Sequence, residues 1–173
     1  TKIAADETHP LKPINNNGMT KAISENLIRN FHSIYNTPYT ILRFPNCYSE
    51  NYAKRGLSSL LKKAIKGEKT KIFGGNQILD LLHYNDAADA ILKSIYRDKA
   101  EIFNIGTGKS QKLVSIINKL ERVLGKDIDC DFLPSRSFEV RICKLNIDKA
   151  KKNLKFEASI KLDDILRKIV SKW

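Results

Sequence analysis

The sequence predicts an α/β fold. Apolar residues recur every three to four positions in several stretches, and short runs of β-branched and aromatic residues lie between them. Helical and extended signals alternate through most of the length, which is the pattern of an α/β domain. No repeat or flexible linker interrupts that order, and no internal boundary divides the chain into two independent domains.

The first sixteen residues are polar, contain Pro10 and Pro13 and lack periodicity, which predicts a loop. From Met19 onward, Ile23, Leu27, Phe31 and Ile34 form one stripe on a long helix starting near Asn15-Asn16-Asn17, asparagine being a good cap. Pro38 separates it from a strand, Tyr39 to Phe44, ended by Pro45. The next helix puts Leu57, Leu60, Leu61, Ala64 and Ile65 on one face and stops at Gly67. A short strand at Lys71-Ile72-Phe73 and an extended piece at Leu81-Leu82-His83 follow. Asn85 or Asp86 then caps a helix whose inner face is expected to hold Ala88, Ile91, Leu92 and Ile95. Glu101 to Ile105 is a strand. Ser110 is expected to cap a helix with Leu113, Ile116, Ile117, Leu120, Val123 and Leu124 inward and Gly125 past its end. The chain closes with a strand at Ile128 to Phe132, a short helix at Asn146 to Leu154, and a helix bearing Leu162, Ile165, Leu166, Ile169 and Val170.

With 173 residues and 42% hydrophobic content, the chain can bury about 70% of its unfolded surface, so a real core is expected. No run approaches the ~20 apolar residues that span a bilayer, and the segment from Thr1 to Glu7 has no signal-peptide core. A soluble, cytoplasmic protein is expected. Cys47, Cys130 and Cys143 are odd in number and far apart, which suits reduced, mostly buried thiols. The net charge of +12 attracts anions, phosphorylated ligands and nucleic acid alike. Many lysines, such as Lys62-Lys63 and Lys149 with Lys151-Lys152, fall on polar helix positions, which argues against nucleic acid.

Gly106-Thr107-Gly108-Lys109-Ser110 superficially suggests a phosphate-binding loop. A P-loop needs glycine where Phe103 stands, and a dinucleotide fingerprint needs glycine or alanine where Gln111 stands, so a tight strand-to-helix turn is expected instead. His9, His32 and His83 share no metal-ligand spacing with cysteines or carboxylates, and no serine or cysteine has the setting of a nucleophile.

Several ordered blocks carry a family resemblance. Asp6-Glu7 to Pro10, then Pro13, Asn17-Gly18-Met19-Thr20-Lys21 and Glu25 are similar to an acidic-proline loop and a tyrosine-glycine-x-serine-lysine helix. Leu42-Arg43-Phe44-Pro45-Asn46-Cys47-Tyr48-Ser49, Lys66-Gly67-Glu68 with Ile72-Phe73-Gly74, and Asp80 to Ala88 match further blocks in the same order. Phe103 to Gly108, Asp148-Lys149-Ala150 and Trp173 complete them. Together they resemble the extended short-chain dehydrogenase/reductases, the NAD-dependent sugar-nucleotide epimerase/dehydratase family. The resemblance implies the carboxyl-terminal part of a Rossmann-like fold plus its small substrate-binding α/β subdomain. Residues 1–50 would end the cofactor domain and residues 51–173 would mostly form the substrate subdomain, with short returns to the cofactor domain. The glycine-rich cofactor loop is expected to lie before Thr1.

In that family a tyrosine, its pKa lowered by a lysine four residues later, takes a proton from a sugar hydroxyl as hydride passes to NAD or NADP. Lys21 matches the lysine and would hold the cofactor ribose. Asn17 matches the tyrosine, and an amide cannot act as acid or base. The residues alone also allow Asn17 as a helix cap and Lys21 as an exposed lysine. Phe44 and Pro45 match positions beside the nicotinamide. Asn46, Leu60, Lys71, Phe73, Arg136 and Glu139 match positions that bind a nucleotide-diphospho-sugar: the substrate, the base, the diphosphate (Arg136) and the ribose (Glu139). Leu60 and Phe73 are equally core residues, and Arg136 with Glu139 equally a surface salt bridge. Leu79 stands where the family has a second diphosphate arginine, and Phe138-Glu139 replaces a glycine-aspartate pair. The expectation is an NAD(P)-dependent epimerase- or dehydratase-like protein, homo-oligomeric and without metal, this chain alone being inactive. The alternative is a non-catalytic binding or regulatory member of the same fold.

Overall fold

The computed structural model describes residues 4–50 and 56–170, with side chains through residue 168. The matches at Trp173, and the inward placement of Ile169 and Val170, lie outside the described residues and side chains. Helix α1 spans Asn16–Tyr35. It starts where the Asn15 side chain accepts a hydrogen bond from Gly18 N at 2.8 Å, and it stops at Asn36 in the left-handed conformation. Then come β1 (Thr40–Arg43), β2 (Asn46–Tyr48), α2 (Gly56–Lys66), β3 (Thr70–Phe73), β4 (Ile78–His83) and α3 (Tyr84–Ser94). The remaining elements are β5 (Glu101–Asn104), β6 (Ser110–Lys112), α4 (Leu113–Leu124), β7 (Cys130–Leu133), α5 (Asp148–Leu154) and α6 (Leu162–Val170).

Strand β1 pairs in parallel with β5, and β3 in parallel with β7. A third sheet has the order β2-β4-β6, parallel on one side of β4 and antiparallel on the other. The chain therefore changes sheets at Phe44-Pro45. Proline cannot donate to a ladder, which suits that break. Two apolar clusters result. One joins Tyr48, Leu61, Ile72, Leu81, Ile116, Leu120 and Leu166 among α2, α4 and α6. The other joins Leu82, Ala90, Phe103, Ile105, Ala150 and Phe156 among α3, β5 and α5. Successive strand residues face opposite sides, so Leu81 and Leu82 of β4 feed one cluster each.

Four local expectations are corrected. On α3, Ala87, Ala90 and Asp86 face inward, while Ala88 is exposed and Ile91, Leu92 and Ile95 are 47–65% exposed. The cause is polar: Asp86 accepts hydrogen bonds from Ser159 N, Ser159 Oγ and Ile160 N at 3.0–3.1 Å, which sets the helix's rotation. Its cap is His83, whose Nδ1 accepts from Asn85 N at 3.2 Å, rather than Asn85 or Asp86. Ser110 does not cap α4. It lies in β6 and donates to Cys143 O at 3.1 Å, while Lys112 takes the cap position without a side-chain bond. The three thiols are free but only half-buried. The α1 stripe also stays open, with Ile23, Leu27, Phe31 and Ile34 55–61% exposed and Glu25 the buried residue of the helix. Among the described residues, no helix is long and apolar enough to cross a membrane.

Candidate functional site

A cleft of about 850 Å³ opens beside the sheet change. Helix α2 contributes Leu57, Leu60 and Lys63, and β3 contributes Lys71, Ile72 and Phe73. Asn46, Leu79 and Leu81 come from β2 and β4, Leu113 and Ile116 from α4. Asn15 and Asn17 line it from the start of α1, and Phe138, Glu139 and Val140 line it from a strap of residues 134–140. Its walls mix apolar side chains with polar and basic ones, including Lys63, Lys69 and Lys71, a lining that suits a ligand with both an apolar and an anionic part.

The strap holds no helix or ladder of its own. The Arg136 guanidinium lies 3.4 Å from the centre of the Phe73 ring, a stacking contact that also restrains the arginine. Arg136 is 3.9 Å from Glu139, a half-exposed pair of small worth. Gln77 Nε2 donates to Glu139 Oε2 at 3.3 Å and to Phe73 O at 2.6 Å. Asn15 Nδ2 donates to Phe138 O at 2.9 Å.

Helix α1 is held to the sheet by Arg43, which donates to both Glu25 oxygens at 2.7 and 2.8 Å and to Glu7 O at 3.0 Å. The hydrogen bonds from Arg43 push the buried Glu25 carboxyl below its ordinary value, and those to Glu25 push Arg43 up. Glu7 Oε1 in turn accepts from Asn104 N at 2.8 Å, which ties the opening loop to β5. At the carboxyl end of β4, His83 Nδ1 accepts from Asn85 N, so Nε2 carries the proton and donates to Glu50 at 2.9 Å. That bond, with Lys168 at 3.0 Å, brings the Glu50 carboxyl down to about 2.

The glycine turn between β5 and β6 already holds an anion of the chain's own. Thr107 N and Oγ1 donate to Asp80 Oδ1 at 3.0 and 2.6 Å, and Gly108 N donates to Oδ2 at 3.1 Å. A side chain at Gly106 would meet Asp80 Oδ2 at 2.8 Å. The turn therefore runs into a short strand and offers no free cradle to a dinucleotide phosphate. Among the described residues, no group of three or more His, Cys, Asp or Glu could hold a metal ion.

Asn17, Asn46, Leu60, Lys71, Phe73 and Glu139 thus line one cleft, with Arg136 joined to it through Phe73. Leu60 does so while buried in the core. Lys21, Phe44 and Pro45 do not line it. Lys21 is exposed one turn beyond Asn17 on α1, and Phe44-Pro45 is the link between the sheets. Sequence reasoning missed Asn15, Gln77 and Lys63. Asn15 was visible as a cap, but its bond to a carbonyl 123 residues away leaves no local signal.

The model of the "NAD dependent epimerase/dehydratase family" matches residues 1–106, which contain α1, the sheet change and two walls of the cleft. The chain belongs to the NAD-dependent epimerase/dehydratase family. Over 98% of its length it is 30% identical to a Methanocaldococcus jannaschii protein provisionally named a UDP-glucose 4-epimerase, covering 56% of that protein. It is 28% identical to the UDP-glucuronate 4-epimerase of Thermodesulfobacterium geofontis, covering 94% of this chain and 50% of the relative. The crystal structure of UDP-glucose 4-epimerase with UDP-glucose from Thermotoga maritima superposes with a TM-score of 0.89 at 29% identity, over 99% of this chain and 57% of the other. A dTDP-glucose 4,6-dehydratase from Bacillus anthracis in complex with NAD shares the fold, with a TM-score of 0.88 at 22% identity over 98% of this chain and 55% of the other. The chain spans about half the length of the curated relatives it matches. The family's Rossmann-like α/β fold holds here in part, as the parallel pairs of β1 with β5, β2 with β4 and β3 with β7.

Proposed function

We propose that this chain supplies the nucleotide-sugar half of an NAD-dependent epimerase- or dehydratase-like protein whose ligand is a UDP-sugar or a related nucleotide-diphospho-sugar. The carrying observation is the convergence of Asn17, Asn46, Leu60, Lys71, Phe73 and Glu139 on one cleft from five separate stretches of chain. The relatives' names support a UDP-sugar. In this reading Leu60, Lys71 and Phe73 pack the base, Arg136 meets the diphosphate, Glu139 takes the ribose, and Asn46 faces the sugar.

NAD supplies hydride acceptance when bound. The Asp80-filled turn gives it no phosphate cradle, and in this reading Lys21, Phe44 and Pro45 are the residues of this chain that would meet one edge of a dinucleotide. Asn17 donates and accepts hydrogen bonds in the cleft lining but moves no proton. Isothermal calorimetry of the complete protein against UDP-, dTDP- and GDP-sugars tests the proposal. Micromolar binding of one class supports it, and binding of none rejects it.

Two observations favour a second reading, a non-catalytic binding member of the fold: Asn17 at the tyrosine position and Leu79 in the cleft wall. Turnover of the bound sugar by the wild-type protein rejects that reading. The exposed α1 stripe supports self-association, since so large an apolar surface is costly in water. Three free cysteines support a reducing, cytoplasmic location.

A further inference from the structure

The Asn15 amide has two partners. Its Oδ1 accepts from Gly18 N at 2.8 Å and caps α1 two residues before Asn17. Its Nδ2 donates to Phe138 O at 2.9 Å, in the middle of the strap. Both ends of the strap are anchored: Leu133 O accepts from Gly74 N at 2.8 Å, and Arg141 O accepts from Ile78 N at 2.9 Å. Between those anchors the backbone has no ladder. Its described attachments are side chains: Arg136 on Phe73, Glu139 on Gln77, and Phe138 O on Asn15. The first two reach only the β3–β4 side of the cleft. The third crosses to α1.

We propose that Asn15 is a positioning residue that fastens the strap to the start of α1 and so fixes the spacing between the strap's Arg136 and Glu139 and the helix's Asn17 and Lys21. The claim rests on the nucleotide-sugar reading of the cleft. A nucleoside diphosphate linked to a sugar has a set length. Groups that hold its nucleotide end and groups that meet its sugar end must therefore keep a fixed distance, or only one end is bound at a time. The cap alone would need only an acceptor at residue 15. An amide serves both purposes because it carries an acceptor and a donor on one rigid plane.

Asn15→Ser in the complete protein separates the two. Serine caps helices about as well as asparagine, but its hydroxyl is too short to reach Phe138 O. Hydrogen exchange of the ligand-free protein, read by mass spectrometry, and calorimetry with UDP-glucose are the measurements. Asn15→Ser is expected to leave the melting temperature and the exchange of the first turn of α1 unchanged. It should speed exchange in residues 134–140 and weaken UDP-glucose binding, each by about 3- to 10-fold, the range of one net hydrogen bond. Asn15→Ala should add loosening of the first turn of α1. Wild-type strap exchange in Asn15→Ser overturns the proposal, as does a strap that loosens only in Asn15→Ala together with α1. Failure of the wild-type protein to bind any nucleotide-sugar overturns the proposed function instead, because the exchange measurement reports the tether by itself.

Discussion

Arg43 and Glu25 meet in a two-pronged contact, Nε to Oε1 at 2.8 Å and Nη2 to Oε2 at 2.7 Å, and this contact fastens α1 to β1. Among the described residues, Glu25 is the buried residue of a helix whose apolar stripe faces outward. Removing one partner of a buried pair leaves a charge uncompensated, so Arg43→Met is expected to cost about 3 kcal/mol by urea unfolding. Because Glu25 titrates below its ordinary 4.5 in the folded state, its contribution is complete above about pH 4.5 and is lost as pH falls further. An Arg43→Met protein should therefore show a flatter acid limb than wild type. An unchanged midpoint would mean that the contact is incidental.

The Asp80 turn makes a second stability prediction. Asp80 is fully buried, and its described donors are Thr107 and the Gly108 amide. Asp80→Ala strands those donors, at about 1–3 kcal/mol. Gly106→Ala places a methyl 2.8 Å from Asp80 Oδ2 and should also destabilise. The two share one contact, so the double variant should lose less than the separate losses combined. Simple additivity in chemical unfolding would show that the carboxylate and the glycine act independently.

These two anchors mark the limit of what was legible in the sequence. The α/β alternation was legible, as were the spans of α1, α2 and α4, because periodicity is a local signal, and the ordered motifs singled out six of the residues that line the cleft. Arg43, Glu25 and Asp80 were visible as motif members, but their pairing joins residues 18 and 27 positions apart. The rotation of α3 was misjudged for the same reason. An apolar Ile91-Leu92-Ile95 face looks like core until the distant Ser159 and Ile160 fix Asp86. Ser110 was a sound cap by residue type, yet strand pairing with β4 claimed its backbone.

The Glu50 network gives a second acid dependence, away from the cleft. Its folded pKa of about 2, against an ordinary 4.5, means that stability from the His83 and Lys168 contacts is present above about pH 4.5 and drains away as pH falls towards 2. Glu50→Gln should remove that part of the acid limb while leaving nucleotide-sugar affinity at neutral pH unchanged. Thermal melts from pH 7 to 2.5 would show it, and parallel curves for the two proteins would reject it.

Leu79 lines the cleft where the family resemblance places an arginine. A charge-assisted hydrogen bond contributes about 1.5–3 kcal/mol, so Leu79→Arg is expected to tighten UDP binding by at least about 10-fold. The gain should shrink as salt rises if it is electrostatic. Calorimetry at two ionic strengths decides the matter. Unchanged affinity would mean that the lysines along α2 and β3 already satisfy the diphosphate.

The remaining prediction concerns Asn17. It is exposed in the cleft lining and sits one helical turn before Lys21, so the two occupy one face of α1. An amide in that place can orient a sugar hydroxyl but cannot take its proton, whereas a phenol beside an ammonium can. A positioned acid–base group contributes about 10²- to 10⁴-fold in rate. Asn17→Tyr in the complete protein, supplied with NAD, is therefore expected to raise interconversion of UDP-glucose and UDP-galactose at least about 100-fold over wild type. Lys21→Ala in the Asn17→Tyr background should remove that gain with little change in UDP affinity, since Lys21 lies outside the cleft lining. A wild-type protein as fast as Asn17→Tyr would show that another group moves the proton. An Asn17→Tyr protein that binds UDP-glucose tightly and never turns it over would place the chain with the non-catalytic members of the fold.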